Sequence, residues 1–361
     1  MSARARQGTC PGSDARMTVI VKPSTAPPKS RHGQETTVQI QPLDPAEFTS
    51  VVAVITGGWS RERDRSLLSG TTVTEALTGM GVKTRVLDLA DARWHLLAGL
   101  EGVTTVFLAI AGRGAEDGRL QGLLETLDID YTGSGVLASA VAMHKLHGKA
   151  LVAAAGVRVP NATSVDRTAA VEDEVARIQR LLGLPVILKP VSEGGSIGVQ
   201  VVTSSGELTT ALLDVTDDDL MAETFHPGRS VSVGVLEDRL GIMHLLPPLE
   251  AETPNGIYSY AAKRATAACA YYCPARVSSE TLQALRRQAV TAHRTLHCHS
   301  YSRHDFIVTD DGDALWLEVN TLPGLSRQGN LARMAAADGI TYEQLLTHIL
   351  RGARTNRREH A

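Results

Sequence analysis

Hydrophobic and polar positions alternate clearly in SRHDFIVTDDGDALWLEVN, residues 302–320. Two apolar runs flank a short polar segment that contains Asp311 and Gly312. An Asp-Gly pair between such runs predicts a two-residue hairpin turn, because glycine accepts the positive φ that this turn requires. We therefore expect two antiparallel strands near the end of the chain.

The predicted hairpin has one polar and one apolar face. Pairing about that turn brings Asp305 opposite Glu318 and Arg303 opposite Asn320, and side chains two residues apart share a face. The other face receives four apolar residues, Phe306, Val308, Leu317 and Val319. Two facing carboxylates repel unless a cation lies between them, and oxygen ligands suit Mg²⁺, which usually shares its shell with substrate phosphates. A solvent-exposed hairpin with an incidental Arg–Glu pair is the alternative.

Earlier in the chain, apolar runs typical of buried strands alternate with helical patterns. The run at 51–55 leads into Gly57-Gly58 and a helical pattern, and strand-like runs follow at 82–89 and 104–112. This alternation predicts a parallel α/β sheet.

A long helix is predicted from Ala138 through Ala155. Gly156 follows it directly and Pro160 lies beyond, which is how helices commonly stop. The C-terminal half reads mainly as antiparallel strands, with a further helix predicted at 279–296.

A glycine-rich turn follows Lys189 in LKPVSEGGSIGV, residues 188–199. Glycines there let backbone N–H groups approach a phosphate closely, and the lysine adds positive charge. The alternative is an ordinary glycine hairpin without a ligand.

Composition narrows the class of protein. A chain of 361 residues suggests roughly two or three domains. The net charge of −3 and the lack of a dense basic stripe disfavour nucleic acid as a partner. No apolar run approaches the ~20 residues that span a bilayer, and no signal-peptide core is present, so we expect no membrane association. The four cysteines lack zinc-type spacing and predict free thiols in a reducing, cytoplasmic compartment.

Residues 1–48 differ from the rest of the chain. They hold six of the fifteen prolines together with many small polar residues. This composition predicts a disordered tail.

The combination of these motifs is more specific than any one of them. A strand-borne lysine before a glycine-rich loop, an LMAETF strand, and R-x-D and E-x-N in one late hairpin resemble the ATP-grasp superfamily. Within it, the chain is similar to the D-alanine–D-alanine ligase family from about Val51 to Leu350. The matching blocks are GGWSRERDRSLLSG, EDGRLQGLLETLDIDYTGSGVLASAVAMHKL, ILKPVSEGGSIGV, YSYAAK, YYCPA, RHDF and LEVNTLPG.

The resemblance implies a fold and a domain order. The fold class is α/β, with α+β character in the ATP-grasp part. After the tail, a Rossmann-like α/β substrate domain with a parallel sheet is expected at 49–135. A central ATP-grasp subdomain is expected at 136–222, and a C-terminal ATP-grasp subdomain with the metal-binding face at 223–361.

The resemblance also implies an activity. One amino acid's carboxylate is phosphorylated by ATP, and the amine of the second substrate attacks the acylphosphate, which gives an amide, ADP and phosphate. The protein mainly positions the reactants and neutralises charge. The expected ligands are ATP, two Mg²⁺ ions (or Mn²⁺) and small amino-acid-like substrates. The family is often dimeric, so a homodimer is compatible, although no stretch of the sequence indicates an interface.

The resemblance assigns roles on the nucleotide side. Lys145 and Lys189 would contact the α- and β-phosphates, Lys263 the γ-phosphate, and Glu223 the adenine amino group. The remaining nucleotide-binding positions are Glu193, Gly194, Gly195, Ser196, Phe225 and Ser230. Lys145 and Lys263 could instead be exposed lysines.

On the metal and substrate side, Asp305, Glu318 and Asn320 would bind the metal ions. Arg303 would steady the acylphosphate, and Glu62 would hold the first amino acid's ammonium, unless it is simply an acid at a helix N-terminus. The predicted catalytic residues are Arg303, Lys263, Glu62 and Ser196. The predicted substrate-binding residues are Glu62, Arg264, Arg303, Gly324, Arg327 and Asn330.

The chain departs from the family pattern around the substrates. Ala111 replaces a histidine, Gly195 replaces a serine and Arg264 replaces a tyrosine, so of a hydrogen-bonded Glu–Ser–Tyr network only Glu62 remains. Arg264 would suit a carboxylate-bearing substrate.

Further departures lie at the second-substrate end and beside the ribose. PGLSRQGNLARM carries one extra residue, and Gly329-Asn330 stand where the family has a serine, with Arg327 and Asn330 as candidate replacements. Ser230 stands where the family has a ribose-binding glutamate.

Three hypotheses follow from these observations. The leading one is an ATP-dependent carboxylate–amine ligase with altered substrates, for example in antibiotic biosynthesis. The second is a true D-alanine–D-alanine ligase with a divergent pocket. The third is a nucleotide-binding pseudoenzyme.

Overall fold

The computed structural model describes residues 18–19, 40–91, 93–214, 219–253 and 269–354. Within these ranges the chain forms three β-sheets of four, five and six strands, with helices packed around them. Lys263, Arg264 and most of the predicted tail lie outside the described residues.

The four-stranded sheet is parallel and has the strand order β3-β2-β4-β5. Its elements are β2 (Val52–Thr56), α1 (Arg63–Gly79), β3 (Thr84–Asp88), α2 (Arg93–Gly99), β4 (Thr105–Leu108), α3 (Arg119–Thr126) and β5 (Asp130–Tyr131). β2 is buried along its whole length, as expected for a central strand that helices cover on both faces. The predicted parallel sheet is confirmed.

The five-stranded sheet is antiparallel and has the order β1-β6-β9-β7-β8. Its elements are β1 (Thr18–Val19), β6 (Ala162–Ser164), α6 (Val171–Leu182), β7 (Val186–Pro190), β8 (Gln200–Val202), α7 (Ser205–Asp214) and β9 (Leu220–Thr224). The apolar sides of α6 and α7 form a small core on this sheet with β7 and β9.

The six-stranded sheet is also antiparallel and carries the predicted hairpin. Its strands are β10 (Arg229–Glu237), β11 (Met243–Leu245), β12 (Leu249–Glu252), β13 (Ala270–Tyr272), β14 (Tyr301–Val308) and β15 (Ala314–Asn320). The helices that pack around it are α4 (Val136–Met143), α5 (Lys145–Ala154) and α8 (Ser279–Thr295). The last two helices, α9 (Asn330–Ala337) and α10 (Tyr342–Arg351), return to share the core of the four-stranded sheet.

The long helix predicted from Ala138 through Ala155 is wrong in one respect, because the chain breaks it into α4 and α5 at His144. The backbone of His144 is extended, at φ −87° and ψ 93°, and its side chain accepts a hydrogen bond from the amide of His147. His144 therefore caps α5, and Lys145 becomes the first residue of that helix.

The predicted disordered tail is wrong for residues 18–19, which form β1 and pair with β6, and for residues 40–48. Asp44 and Glu47 form a capping box around a 3₁₀ turn that Pro45 opens. Arg351 of α10 donates to Glu47 at 2.8 Å. Proline was read there as a sign of disorder, although it suits the first position of a helical turn.

None of the described helices is long and apolar enough to cross a membrane. Cys269, Cys273 and Cys298 are free thiols, as predicted, and Cys10 lies outside the described residues.

The close approach of α1 to β2 depends on Gly70. A Cβ on Gly70 would lie 2.2 Å from Thr56 Oγ1. We expect Gly70→Ala to lower the free energy of unfolding by about 1–3 kcal/mol, because overpacking outweighs the helix propensity that alanine gains. Gly79→Ala in the same helix meets no atom within 4 Å, so urea unfolding should show no loss for it. Equal effects of the two substitutions would contradict this account of the packing.

Candidate active site

The register of the hairpin brings the four predicted polar residues together. Arg303 pairs with Asn320 and Asp305 with Glu318, as the sequence predicts. The turn is one residue out from the prediction, because Val308 pairs with Ala314. A register shift between Asp305 and Phe306 compensates for this difference, so the polar pairs are correct although the predicted turn is not.

The bulge changes the residues that follow the turn. Phe306 pairs with Trp316, and Leu317 is the extra residue on β15. Trp316 is therefore buried in the core, where its indole N–H donates to His304 Nδ1. Leu317 lines the cleft beside Glu318, so its predicted place on the apolar face is wrong.

Asp305 is the most tightly held member of the polar face. Arg303 donates to both of its oxygens, at 2.9 and 2.8 Å. Ser232 of β10 donates to it at 2.7 Å, and the Asn320 amide lies 3.3 Å from it. Charge-assisted and bidentate bonds of this kind are the strongest class of protein hydrogen bond, so they fix both Arg303 and Asp305.

Lys145 links the hairpin to the glycine-rich loop. Its Nζ lies 3.5 Å from Glu318 Oε2 and also donates to the backbone carbonyl of Glu193. Because the break at His144 starts α5 at Lys145, the ammonium reaches both the hairpin and the loop while the side chain is almost wholly buried.

Glu223 is buried between two lysines, one of which the sequence analysis missed. Its carboxylate lies 2.9 Å from Lys189 Nζ and 2.7 Å from Lys149 Nζ. Burial alone would raise the pKa of Glu223, but the two ammonium groups outweigh burial and keep that pKa below its usual value. Burial lowers the pKa of Lys149 to about 8, an effect that Glu223 opposes. The sequence signal was the i, i+4 spacing of Lys145 and Lys149, which places both on one side of a helix.

These side chains line an open cleft between the five- and six-stranded sheets. Nine predicted residues line it: Lys145, Lys189, Glu193, Ser196, Glu223, Phe225, Ser230, Asp305 and Glu318. Positive charge from β7 and α5 therefore meets the carboxylates of β14 and β15.

The glycine-rich loop contacts Glu62 at the start of α1. A Cβ on Gly194 would lie 2.1 Å from Glu62 Oε2, and one on Gly195 would lie 3.1 Å from Glu62 Oε1. Gly195 and Ser196 both adopt positive φ, at 65° and 62°. The structure thus brings Glu62 to the position where the missing serine was predicted to matter, and Gly195 offers it no hydroxyl.

Glu116 is also buried. The sequence analysis did not single it out. It accepts hydrogen bonds from the amides of Gly112 at 2.6 Å and Leu322 at 3.2 Å, and so ties the loop after β4 to the segment after β15. Burial, together with the nearby charge of Glu62, raises the pKa of Glu116 to about 7.

The predicted residues for the second substrate are only partly brought together. Gly324 lies against Arg65 and Ser69 of α1, and Asn330 begins α9. Arg327 points to α10, where it pairs with Glu343 at 2.9 Å and stacks on the ring of Tyr342. It is not among the described residues that line the cleft, so the structure does not bring Arg327 into the site.

The chemistry of the cleft fits a divalent cation shared with phosphate groups. Asp305, Glu318 and Asn320 offer oxygen donors on one face, which is the donor type that Mg²⁺ prefers. In the described part of the chain, no three His, Cys, Asp or Glu side chains are gathered closely enough to hold a metal. The predicted set includes the Asn320 amide, and Lys145 and Lys189 line the same cleft.

The chain is similar to known proteins in both sequence and fold. Residues 151–351 match the family model for the D-ala D-ala ligase C-terminus. The chain is 38% identical over 302 residues to the D-alanine–D-alanine ligase of Trichlorobacter lovleyi, which covers 82% of this chain and 93% of the relative. It is 39% identical over 305 residues to the corresponding ligase of an Azoarcus species, which covers 84% and 97%.

Solved structures agree with these relatives. The D-alanine–D-alanine ligase of Bacillus anthracis, complexed with ATP, superimposes with a TM-score of 0.74 at 25% identity and covers 87% of this chain and 100% of that one. The VanG D-Ala:D-Ser ligase of Enterococcus faecalis gives 0.70 at 27% identity, with 83% and 98% covered. The expected fold class, a Rossmann-like domain followed by an ATP-grasp fold, is therefore confirmed.

Removing Lys149 should destabilise the protein, because Lys149 is one of the two lysines that pair with the buried Glu223. We expect Lys149→Met to lower the free energy of unfolding by about 3 kcal/mol, because the substitution leaves Glu223 with one lysine instead of two. Lys83→Met, at an exposed position, should stay within about 0.5 kcal/mol of the wild type. Urea unfolding of both variants checks this, and a Lys149→Met protein as stable as Lys83→Met would refute it.

Proposed function

The chain belongs to the D-alanine–D-alanine ligase family, whose members are ATP-dependent enzymes that form C–N bonds, and from this premise we propose that it joins two molecules of D-alanine. This reverses the order of preference that the sequence departures suggested. The relatives at 38% and 39% identity are D-alanine–D-alanine ligases, whereas the departures alone do not name another substrate.

One observation carries the proposal. The cleft sets Lys145 and Lys189 opposite Asp305 and Glu318, with Lys145 and Glu318 only 3.5 Å apart. Lysines suit phosphate oxygens and carboxylates suit Mg²⁺, so the two walls match the two parts of a metal–nucleotide complex. We propose two ions, held by Asp305, Glu318 and Asn320, with Mn²⁺ as an alternative to Mg²⁺. Bound Mg²⁺ would neutralise phosphate charge.

The protein's own residues would position the reactants. Lys145 and Lys189 would hold the α- and β-phosphates, and Lys263 would hold the γ-phosphate. Arg303, fixed by its two bonds to Asp305, would stabilise the negative charge of the acylphosphate and of the tetrahedral intermediate. Preorganised charge of this kind needs no rearrangement during the reaction.

Glu62 would bind the ammonium group of the first D-alanine. It is almost wholly buried, and it lies against the glycine-rich loop. The amino acid's carboxylate would then point towards the phosphates, and the second amine would attack its acylphosphate.

The proposal includes the domain division at 49–135, 136–222 and 223–361, a cytoplasmic location and a homodimer.

A different substrate pair is the second candidate. Gly195 brings no hydroxyl to Glu62, and the similar VanG protein is described as a D-Ala:D-Ser ligase. The same architecture therefore serves more than one second amino acid. The residues of the metal-binding face are retained, which argues against the pseudoenzyme hypothesis.

Purified protein with ATP and Mg²⁺ tests both candidates against a panel of D- and L-amino acids. We expect ADP release with D-alanine alone, and a product with the mass of D-alanyl-D-alanine.

Glu318→Gln should lower turnover by a hundredfold or more, because it removes a charged metal ligand. This loss corresponds to an activation free energy higher by on the order of 3 kcal/mol. Glu343→Gln, an exposed acid on α10, should match the wild type.

Release of ADP only with another pair of amino acids would replace the first candidate by the second. Near-wild-type turnover of Glu318→Gln would contradict the metal assignment, whichever substrates are used.

A further inference from the structure

Lys149 is a buried titratable residue to which the proposed chemistry gives no role. Its side chain is fully buried, and its Nζ lies 2.7 Å from a carboxylate oxygen of Glu223. The same Nζ donates to the backbone carbonyl of Trp316 at 3.3 Å and lies 5.7 Å from the centre of that residue's indole ring. Helix α5 thus fixes this ammonium between β9 and β15, one strand from each wall of the cleft.

Lys189 contacts the other oxygen of Glu223, but from the cleft itself. Its Nζ lies 2.9 Å from Glu223 Oε1, and its side chain is 9% exposed. Lys189 and Glu223 both line the cleft, whereas Lys149 is not among the described residues that do. A triphosphate in the cleft can therefore attract Lys189, because charges interact strongly where water is excluded, but it has no direct contact with Lys149.

Glu223 is an anionic acceptor in an apolar part of the cleft. Ile187 is its register partner on β7, and Phe225 follows it by two residues. Both of these apolar residues also line the cleft. Such surroundings suit the flat face of a purine, and an ionised carboxylate accepts hydrogen bonds but donates none. Adenine offers it an amino group at the 6-position, whereas hypoxanthine offers a carbonyl oxygen there, so an ionised Glu223 favours adenine.

We propose that Lys149 is a positioning residue for the base: it keeps Glu223 ionised and in place when a bound nucleotide draws Lys189 to its phosphates, and it thereby sets the preference for adenine. The inference rests on the proposed ligase function, in which ATP is the phosphate donor. Without Lys149, a nucleotide that attracts Lys189 would leave Glu223 as an unpaired buried anion. Such a group takes up a proton instead.

Protonation of Glu223 would change which base it prefers. A protonated carboxyl group can donate to the carbonyl of hypoxanthine as well as accept from the amino group of adenine. In the wild type, burial acts to raise the pKa of Glu223, but Lys149 and Lys189 outweigh it and keep that pKa below its usual value. Loss of Lys149 raises the pKa of Glu223, so the proton is bound as the pH falls and the preference for adenine is lost with it.

In the described part of the chain, the titratable groups that face Glu223 come from three elements. Lys149 belongs to α5 and Lys189 to β7, and His226 follows β9. Burial lowers the pKa of His226, and burial also lowers the pKa of Lys149 to about 8, so Lys149 stays charged below pH 7. Variants of Lys149 retain His226 and Lys189, so any new pH dependence in them arises from the missing ammonium.

The competing explanation is that Lys149 only supports the fold. It joins α5 to two strands, so its loss would destabilise the protein whichever nucleotide is bound. In that case the affinities for ATP and for ITP, the triphosphate that carries hypoxanthine, would fall together. The ratio of the two dissociation constants would then depend neither on Lys149 nor on pH.

Calorimetry would measure the dissociation constants of ATP and ITP with Mg²⁺, in the absence of amino acid, between pH 5.5 and 7. The proteins are the wild type, Lys149→Met and Lys149→Gln. Lys149→Gln retains a hydrogen-bond donor without the charge, so it tests the same point with a smaller loss of stability. Ionisation of the triphosphate is common to both nucleotides and cancels in the ratio of their dissociation constants.

Arg177→Met is the matched control. Arg177 of α6 donates to the buried Glu174 at 2.7 Å, so its loss also deprives a buried glutamate of a cation. Neither residue is among the described residues that line the cleft. Arg177→Met should therefore keep the wild-type ratio and its independence of pH, even where it destabilises the fold.

We expect the wild type to bind ATP at least about tenfold more tightly than ITP throughout this pH range, the effect of one hydrogen bond to a charged group. In both Lys149 variants, this preference should fall to within about threefold of unity at pH 5.5 and should rise with pH.

A wild-type preference in both Lys149 variants, or a changed preference that does not depend on pH, would overturn the inference and leave the ligase function standing. A wild type that binds ATP and ITP equally well would do the same, because Glu223 would then not contact the 6-position of the base. A wild type that binds neither nucleotide and makes no dipeptide would overturn the ligase function, and the inference with it.

Discussion

The pairing of β14 with β15 is the constraint on which the site depends. It sets Asp305 opposite Glu318 and Arg303 opposite Asn320, an arrangement that concentrates charge on one face of a buried sheet. Such a face is tolerable only when each group has a partner, because unpaired charge is costly to bury. Arg303 and Ser232 satisfy Asp305, and Lys145 satisfies Glu318 from the opposite wall. The bulge at Leu317 preserves this pairing while Trp316 enters the core.

In the rest of the cleft, buried charged groups are likewise paired with groups of opposite charge. Glu223 is stable as an anion in the interior because Lys149 and Lys189 both face it. Lys145 holds the glycine-rich loop through the carbonyl of Glu193, and that loop in turn packs against Glu62. The three sheets are thus joined by polar contacts that converge where a nucleotide and two amino acids would meet. Ligand binding would exchange some of these internal partners for phosphate and metal.

The sequence predicted what local periodicity encodes. Alternation gave the polar pairs of the hairpin, and the glycine run gave the loop. The alternation of polar and apolar residues does not predict the bulge at Leu317, because an extra residue on one strand is detected only when both strands are paired. The break at His144 was hidden among good helix formers, and Pro45 was mistaken for disorder. Lys149 was missed for a different reason: its importance comes from a partner distant in the chain, Glu223, rather than from its own neighbours. Arg327 was overvalued because its partners on α10 could not be foreseen.

The central claim is that the cleft activates a carboxylate as an acylphosphate. The fate of carboxylate oxygen tests this most directly. D-alanine labelled with ¹⁸O in its carboxyl group would be converted with ATP and Mg²⁺, and the released phosphate would be analysed by mass spectrometry. The account predicts that each dipeptide formed is accompanied by one phosphate that carries a single ¹⁸O atom from the activated carboxylate. Dipeptide formation with unlabelled phosphate would contradict it.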